Sequence, residues 1–417
     1  MKNNHYFFVI LLVLRVFFQF APALELRASL LVNFPILFAL YLYVFLYSKK
    51  GLIVRAIKTT PIFIVPVINH IAASVGGVQI INILYLILQW LVWPFIGYFI
   101  IDNLSIKSQK ISFWSFLTCF IITSITTVYG CNMFPAAARS LANGNFVVEN
   151  ADLVAMYKGM NIGDFQFVYT LVLVIPLVLC ACHNYLRKKI IGYLILALLL
   201  YTIYKTQYTT ALLLSIAAVL FLIIPATHNS RRPAVLLTSF IVIAVIAAPL
   251  FSGVLQFVSS AIQGDVLTER LSELSMSASG QNLDESTDFG TRLYLWELSL
   301  STFLKYFFTG VYFITDRSQA YLYIGGHSFI LDTLARLGVM GLLLLLWMFR
   351  TLYRIYIKPY SQRPEYIYIL VVYAINIAQC LLNTRSIEIV FVFLIPLFMS
   401  ISYRRSDTKS ALVYRAS

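Results

Sequence analysis

The chain alternates long apolar runs with short polar breaks, and the runs have the length of helices rather than strands. They lie over residues 6–20, 28–47, 60–75, 79–101, 112–130, 164–182, 190–204, 207–225, 234–251, 327–349, 365–383 and 387–403. A bilayer crossing takes about 20 residues, so these runs predict about twelve transmembrane helices. Pro35, Pro66, Pro94, Pro176, Pro249 and Pro396 fall inside the runs, and kinks are expected there. The expected fold is all-α, a polytopic membrane protein with one transmembrane domain over residues 1–417.

Two of the breaks are long, at residues 131–163 and 252–326. Loops of that length carry function or are disordered. Residues 265–290 are rich in Ser, Asp and Glu, but from Arg292 the pattern turns apolar again. Leu293, Trp296, Leu300, Phe303, Leu304 and Phe307 follow helical spacing, with Glu297, Ser301 and Lys305 on another face. The pattern predicts an interfacial helix, lying on the membrane or on the bundle. A half-inserted helix is the alternative.

Composition narrows the class further. Hydrophobic residues make up 60% of the 417 and charged residues only 12%, with a mean hydropathy of +0.84. A soluble domain carries roughly 25% charge, so a soluble globule is excluded, and so is a disordered chain. The net charge of +14 would suggest nucleic acid in a soluble protein. Here its distribution follows topology. With the N-terminus inside, the inside loops are basic, as in Lys49, Lys50, Arg55 and Lys58, or Arg187, Lys188 and Lys189. The outside loops hold scattered single charges. Membrane lipids are therefore the expected environment, no nucleic-acid partner is needed, and both termini are expected in the cytoplasm. Lys2, the first apolar run and Ala21-Pro22-Ala23 imitate a signal peptide. Arg15 inside that run argues for an uncleaved first span.

Candidate chemistry gathers on the outer side. Gly325-Gly326-His327-Ser328 leads into a run ending Leu337-Gly338-Val339-Met340-Gly341. In a continuous helix His327 and Gly338 share one face, and the glycines admit a closely approaching neighbour. The bland alternative is an interfacial histidine before a well-packed helix. Asp332 and Arg336 sit four residues apart, away from the His327 face. They form a structural ion pair, or else Arg336 binds an anion. Arg292, Arg317, Arg139 and Lys205 are positive groups on the side that topology disfavours, which a phosphate or an acidic glycan would explain. Cys119, Cys131, Cys180, Cys182 and Cys380 lack metal-ligand spacing and read as apolar fillers. No metal or other cofactor is expected.

The stretch Thr291-Arg292-Leu293-Tyr294-Leu295-Trp296, then Gly310, then His327-Ser328 with nine residues to Gly338 and two more to Gly341, resembles the bacterial O-antigen polymerase and O-antigen ligase superfamily. The dozen predicted spans and the long outer loop match that family too. The resemblance implies an inner-membrane glycosyltransferase with a GT-C-type bundle and a metal-independent mechanism at the periplasmic face. Its donor and acceptor would be glycans on undecaprenyl diphosphate, with a chain-length regulator protein as partner. By position His327 would be catalytic or orient the acceptor, and Arg292 would face the diphosphate. Ser328, Arg317, Arg139 and Lys205 would contact diphosphate or glycan. Asp332, Arg336 and Gly338 would be supporting. The ligases carry an arginine in a Ser-Arg-Thr-like stretch. Here Thr209 stands at that place in Thr206-Gln207-Tyr208-Thr209-Thr210-Ala211, with Lys205 nearby, which favours polymerase over ligase. A lipid-linked glycan flippase is the rival of another class.

Overall fold

The structure, a computed structural model, describes residues 5–27, 30–48, 51–59, 61–73, 80–141, 151–184, 189–223, 288–311, 322–383 and 390–402. Among these residues every regular element is a helix and there is no strand. Helices lie over each predicted apolar run except 234–251, which falls outside the described residues. Among the described residues three helices are long and apolar enough to cross a membrane: Ile106–Met133, Phe165–Asn184 and Phe329–Tyr360. A bent pair, Leu52–Lys58 with Pro61–Asn69, makes up to 4 if it is one span. The helix Ile80–Asn103 has 24 residues, and the apolar helices Tyr6–Phe20, Thr209–Ile223 and Tyr366–Leu382 are shorter.

The chain forms two compact units. The first comprises Met1–Thr60, Ile87–Thr206 and Glu388–Ser417. In it Ile106–Met133 packs against Tyr6–Phe20 and Lys189–Lys205. Arg15 is buried there, its guanidinium 5.6 Å over the Trp93 ring, a cation–π contact that eases the cost of a charge among apolar side chains. Arg55 and Asp102 make the one direct ion pair among the described residues.

The second unit comprises Pro61–Leu86 and Gln207–Ile387. At its centre Phe329–Leu352 touches Pro61–Ala73, Asp288–Lys305 and Tyr366–Leu382. Val65, Phe329, Leu345, Met348 and Cys380 form a buried cluster at these contacts. All five cysteines of the chain are buried, and none is in a disulfide.

The central helix is broken. Gly338 has φ +56° and ψ −138°, which is not helical, and glycine alone adopts it without steric cost. The hydrogen bonds lost at the break are replaced from outside the helix. Val339 N–H donates to the Phe307 carbonyl at 2.7 Å, and Val311 N–H donates to the Ala335 carbonyl at 3.0 Å. The neighbour admitted by Gly338 is thus the turn that ends Asp288–Lys305, not another helix. Gly341 lies against its own chain, since a Cβ there would stand 2.6 Å from the Thr333 carbonyl oxygen. Residues 329–337 are only about 14 Å of helix, and 339–352 continue it for about 21 Å beyond the break. The shared face expected for His327 and Gly338 required an unbroken helix, and the break removes it.

We expect Gly338→Ala to lower the apparent Tm in detergent by an amount corresponding to about 1–3 kcal/mol. A Cβ there would strike the Phe307 carbonyl and the Gly310 nitrogen, both backbone atoms. Gly326→Ala is the control. It carries positive φ but opens onto free space, so its loss should be the smaller. Equal melting of Gly338→Ala and the parent chain would refute the account of the break.

The Asp288–Lys305 helix turns a mixed polar and apolar face to the protein. Ser299, Thr302 and Phe303 are buried. Leu293, Leu300 and Leu304 of the apolar stripe are exposed, and so is Phe308 just beyond the helix. The reason is electrostatic. Ser299 is needed inward, where it meets a buried carboxylate.

Candidate functional site

The loop 325–328 is organised by one side chain, Asp332. Its Oδ1 accepts hydrogen bonds from Ser299 Oγ at 2.8 Å and from Gly326 N–H at 3.2 Å. Its Oδ2 accepts from Ser328 N–H at 3.2 Å. Ser299 Oγ also accepts from Gly325 N–H at 2.9 Å. Ser328 is the N-cap, with extended backbone, and its Oγ accepts from Leu331 N–H at 3.1 Å. A serine cap and a carboxylate in the first turn satisfy donors that the helix start leaves unpaired, and they complement its dipole. Phe329 N–H donates to the Asn383 carbonyl at 2.7 Å, tying the loop to the end of Tyr366–Leu382.

The glycines have different tasks. Gly325 lies so close to the Leu295 carbonyl that a Cβ would collide with it. Gly326 has φ +71° and faces open space. Behind this loop Ser299, Ser328 and Asp332 are all buried. His327 stands exposed at its tip.

Arg292, half-buried on the adjacent helix, acts on that histidine. Partial desolvation, then the Arg292 charge, holds the His327 imidazole below its ordinary value, while Asp332 pulls the other way. Near neutral pH the ring is therefore an uncharged base beside a guanidinium. The helix N-terminus already receives the Asp332 carboxylate.

Asp332 and Arg336 do not form the direct ion pair expected from their spacing. Asp332 turns both oxygens to the loop and to Ser299. Arg336 Nη1 donates to Asn69 Oδ1 at 3.3 Å, Asn69 Nδ2 donates to Thr333 Oγ1, and Thr333 Oγ1 donates to the Phe329 carbonyl. The physical reason is local. In the first turn, backbone N–H groups are closer donors than a side chain one turn onward.

One unit thus gathers Arg292, His327, Ser328, Asp332, Arg336 and Gly338. Arg139 and Lys205 belong to the other unit. Arg139 is half-buried in Ala137–Ser140, and Lys205 ends Lys189–Lys205 with its ammonium 5.6 Å over the Tyr201 ring. Arg317 lies outside the described residues. Ser299, Asn69 and Asn383 were not foreseen from sequence. Ser299 had one available signal, its place two turns after Arg292 on the same helix face. Among the described residues no three His, Cys, Asp or Glu side chains gather to hold a metal ion.

Asp332→Asn is expected to lower stability by about 1–3 kcal/mol, because an amide N–H₂ would face N–H donors in a buried place. Thermal unfolding in detergent measures it. A variant that melts with the parent chain would show that the carboxylate does not hold the loop.

No family model matches the chain, and no curated protein matches it in sequence.

Proposed function

We propose that the chain is a bacterial inner-membrane O-antigen polymerase, joining oligosaccharide repeat units carried on undecaprenyl diphosphate. The observation that carries this reading is His327, exposed at the tip of a loop tied down by Asp332 and Ser299, with Ser299 on the same helix as Arg292. It is supported by the sequence resemblance and by an all-helical chain with helices apolar enough to cross a membrane. In this reading the bundle has about twelve spans of GT-C type, and the loop faces the periplasm.

The reaction asks for what these residues offer. A sugar hydroxyl of the acceptor attacks the anomeric carbon of the donor glycan. The new C–O bond forms as the bond to the diphosphate oxygen breaks, and undecaprenyl diphosphate leaves with the electron pair. The hydroxyl proton passes to the His327 imidazole and then to water. Arg292 stabilises the negative charge that grows on the leaving oxygen. A base near neutral pH suits histidine.

The test is the glycan that accumulates in cells lacking the chain. Lipid A-core capped with single repeat units is the expected result. Free polymer on undecaprenyl diphosphate would instead make the chain a ligase. Repeat units retained on the cytoplasmic leaflet would make it a flippase.

A further inference from the structure

We infer that Asn383 is a substrate-positioning residue of this site, its side-chain amide donating a hydrogen bond to an oxygen of the bound glycan or diphosphate; the inference rests on the function proposed above. Asn383 follows the Tyr366–Leu382 helix with extended backbone, φ −146° and ψ 164°. Its carbonyl accepts from Phe329 N–H at 2.7 Å, which places the residue against the loop two positions from His327. The residue is 6% exposed. Its Nδ2 is buried and has no hydrogen-bond partner among the described residues.

The main chain and the side chain of Asn383 are thus used differently. The main-chain carbonyl makes the tie to Phe329, and any amino acid would supply it. The side chain adds nothing to that tie. A buried amide without an acceptor is a cost to the unliganded fold, and an apolar replacement would remove the cost. Asn376 and Gln379, on the same helix, are buried polar residues as well, but both have contacts of their own. Asn383 is the one that meets the loop. On the same loop Gly326, next to His327, faces open space, where an added Cβ would meet nothing within 4 Å. A ligand in that space, in reach of His327, brings what the amide lacks. Sugars and diphosphates are rich in acceptor oxygens, and a neutral donor suits either.

The argument gives opposite signs for stability and activity, which a structural role would not. The assay uses the purified full-length chain in detergent or nanodiscs with an undecaprenyl-diphosphate-linked repeat unit. Polymer formation and apparent Tm are followed for the parent chain, His327→Ala, Asn383→Ala and Asn383→Asp. For Asn383→Ala we expect kcat/KM at least tenfold lower, with a Tm equal to or above that of the parent chain. Asn383→Asp keeps the size but removes the donor and adds negative charge near a diphosphate. It should be impaired at least as much. Asn383→Ala within twofold of the parent chain overturns the inference and leaves the proposed function standing. A fall in Tm that accompanies the lost activity in both variants overturns it as well, by making Asn383 structural. A parent chain that forms no polymer removes the proposed function, and this inference with it.

Discussion

Replacing His327 by alanine will abolish polymer formation while the chain still inserts and folds. The imidazole is exposed at the tip of a loop whose hydrogen bonds all run through Asp332, Ser299, Ser328 and Asn383. Removing it leaves no buried donor or acceptor stranded, so the thermal midpoint should hold. A general base contributes about 10²–10⁴-fold, and that is the expected loss. The same assignment fixes a pH dependence. Desolvation and the Arg292 charge lower the imidazole's proton affinity, so the reactive, uncharged form persists below the usual histidine range of about pH 6.5. Turnover should be level near neutrality and fall only as the pH drops below that range. Removing Arg292 should shift the fall to higher pH. A complementation gel with near-normal chain length for His327→Ala would end the assignment. So would a pH profile that falls on the alkaline side alone.

Arg292→Lys should reduce turnover by about 10²–10³, the equivalent of 2–4 kcal/mol in the transition state. The planar guanidinium can hold two oxygens of a diphosphate at once, which an ammonium cannot reproduce. Among the described side chains no acid pairs with Arg292. The alternative, that it anchors the helix start through Asp288, predicts a different pattern. Lysine would then serve nearly as well, and stability rather than turnover would suffer. Kinetics with a purified lipid-diphosphate substrate distinguish the two. Wild-type turnover and affinity in Arg292→Lys would make the arginine structural.

The helices were legible where periodicity and length sufficed. The runs at 6–20, 164–182 and 365–383 coincide with Tyr6–Phe20, Phe165–Asn184 and Tyr366–Leu382 to within a residue or two. Their boundaries are set by where apolar side chains stop, which is a local property. The break at Gly338 was not legible. Glycine in an apolar helix equally admits a close neighbour, and only the turn at Phe307–Val311 decides between the two. The partners of Asp332 were not legible for a related reason. Helical spacing pairs it with Arg336, yet its nearest donors are backbone N–H groups, which no spacing rule displays. Arg292 and His327 could be singled out together from motif spacing, but what holds them could not. Ser299 lies among apolar residues as an ordinary serine, and Asn383 makes its tie through main-chain atoms that every residue shares.

The crossing at Gly338 also constrains how the chain can be made. Residues 339–352 continue as helix beyond the break, but their first donor, Val339 N–H, is met from outside the segment. On either side of the break Ala335 C=O and Val339 N–H find their partners on Val311 and Phe307. Those partners are synthesised first and wait for a segment that has not yet left the ribosome. The half-helix should therefore leave the insertion machinery already clasped to the preceding turn, as one hairpin. Biogenesis would then depend on residues 306–311 as much as on the hydrophobic segment itself.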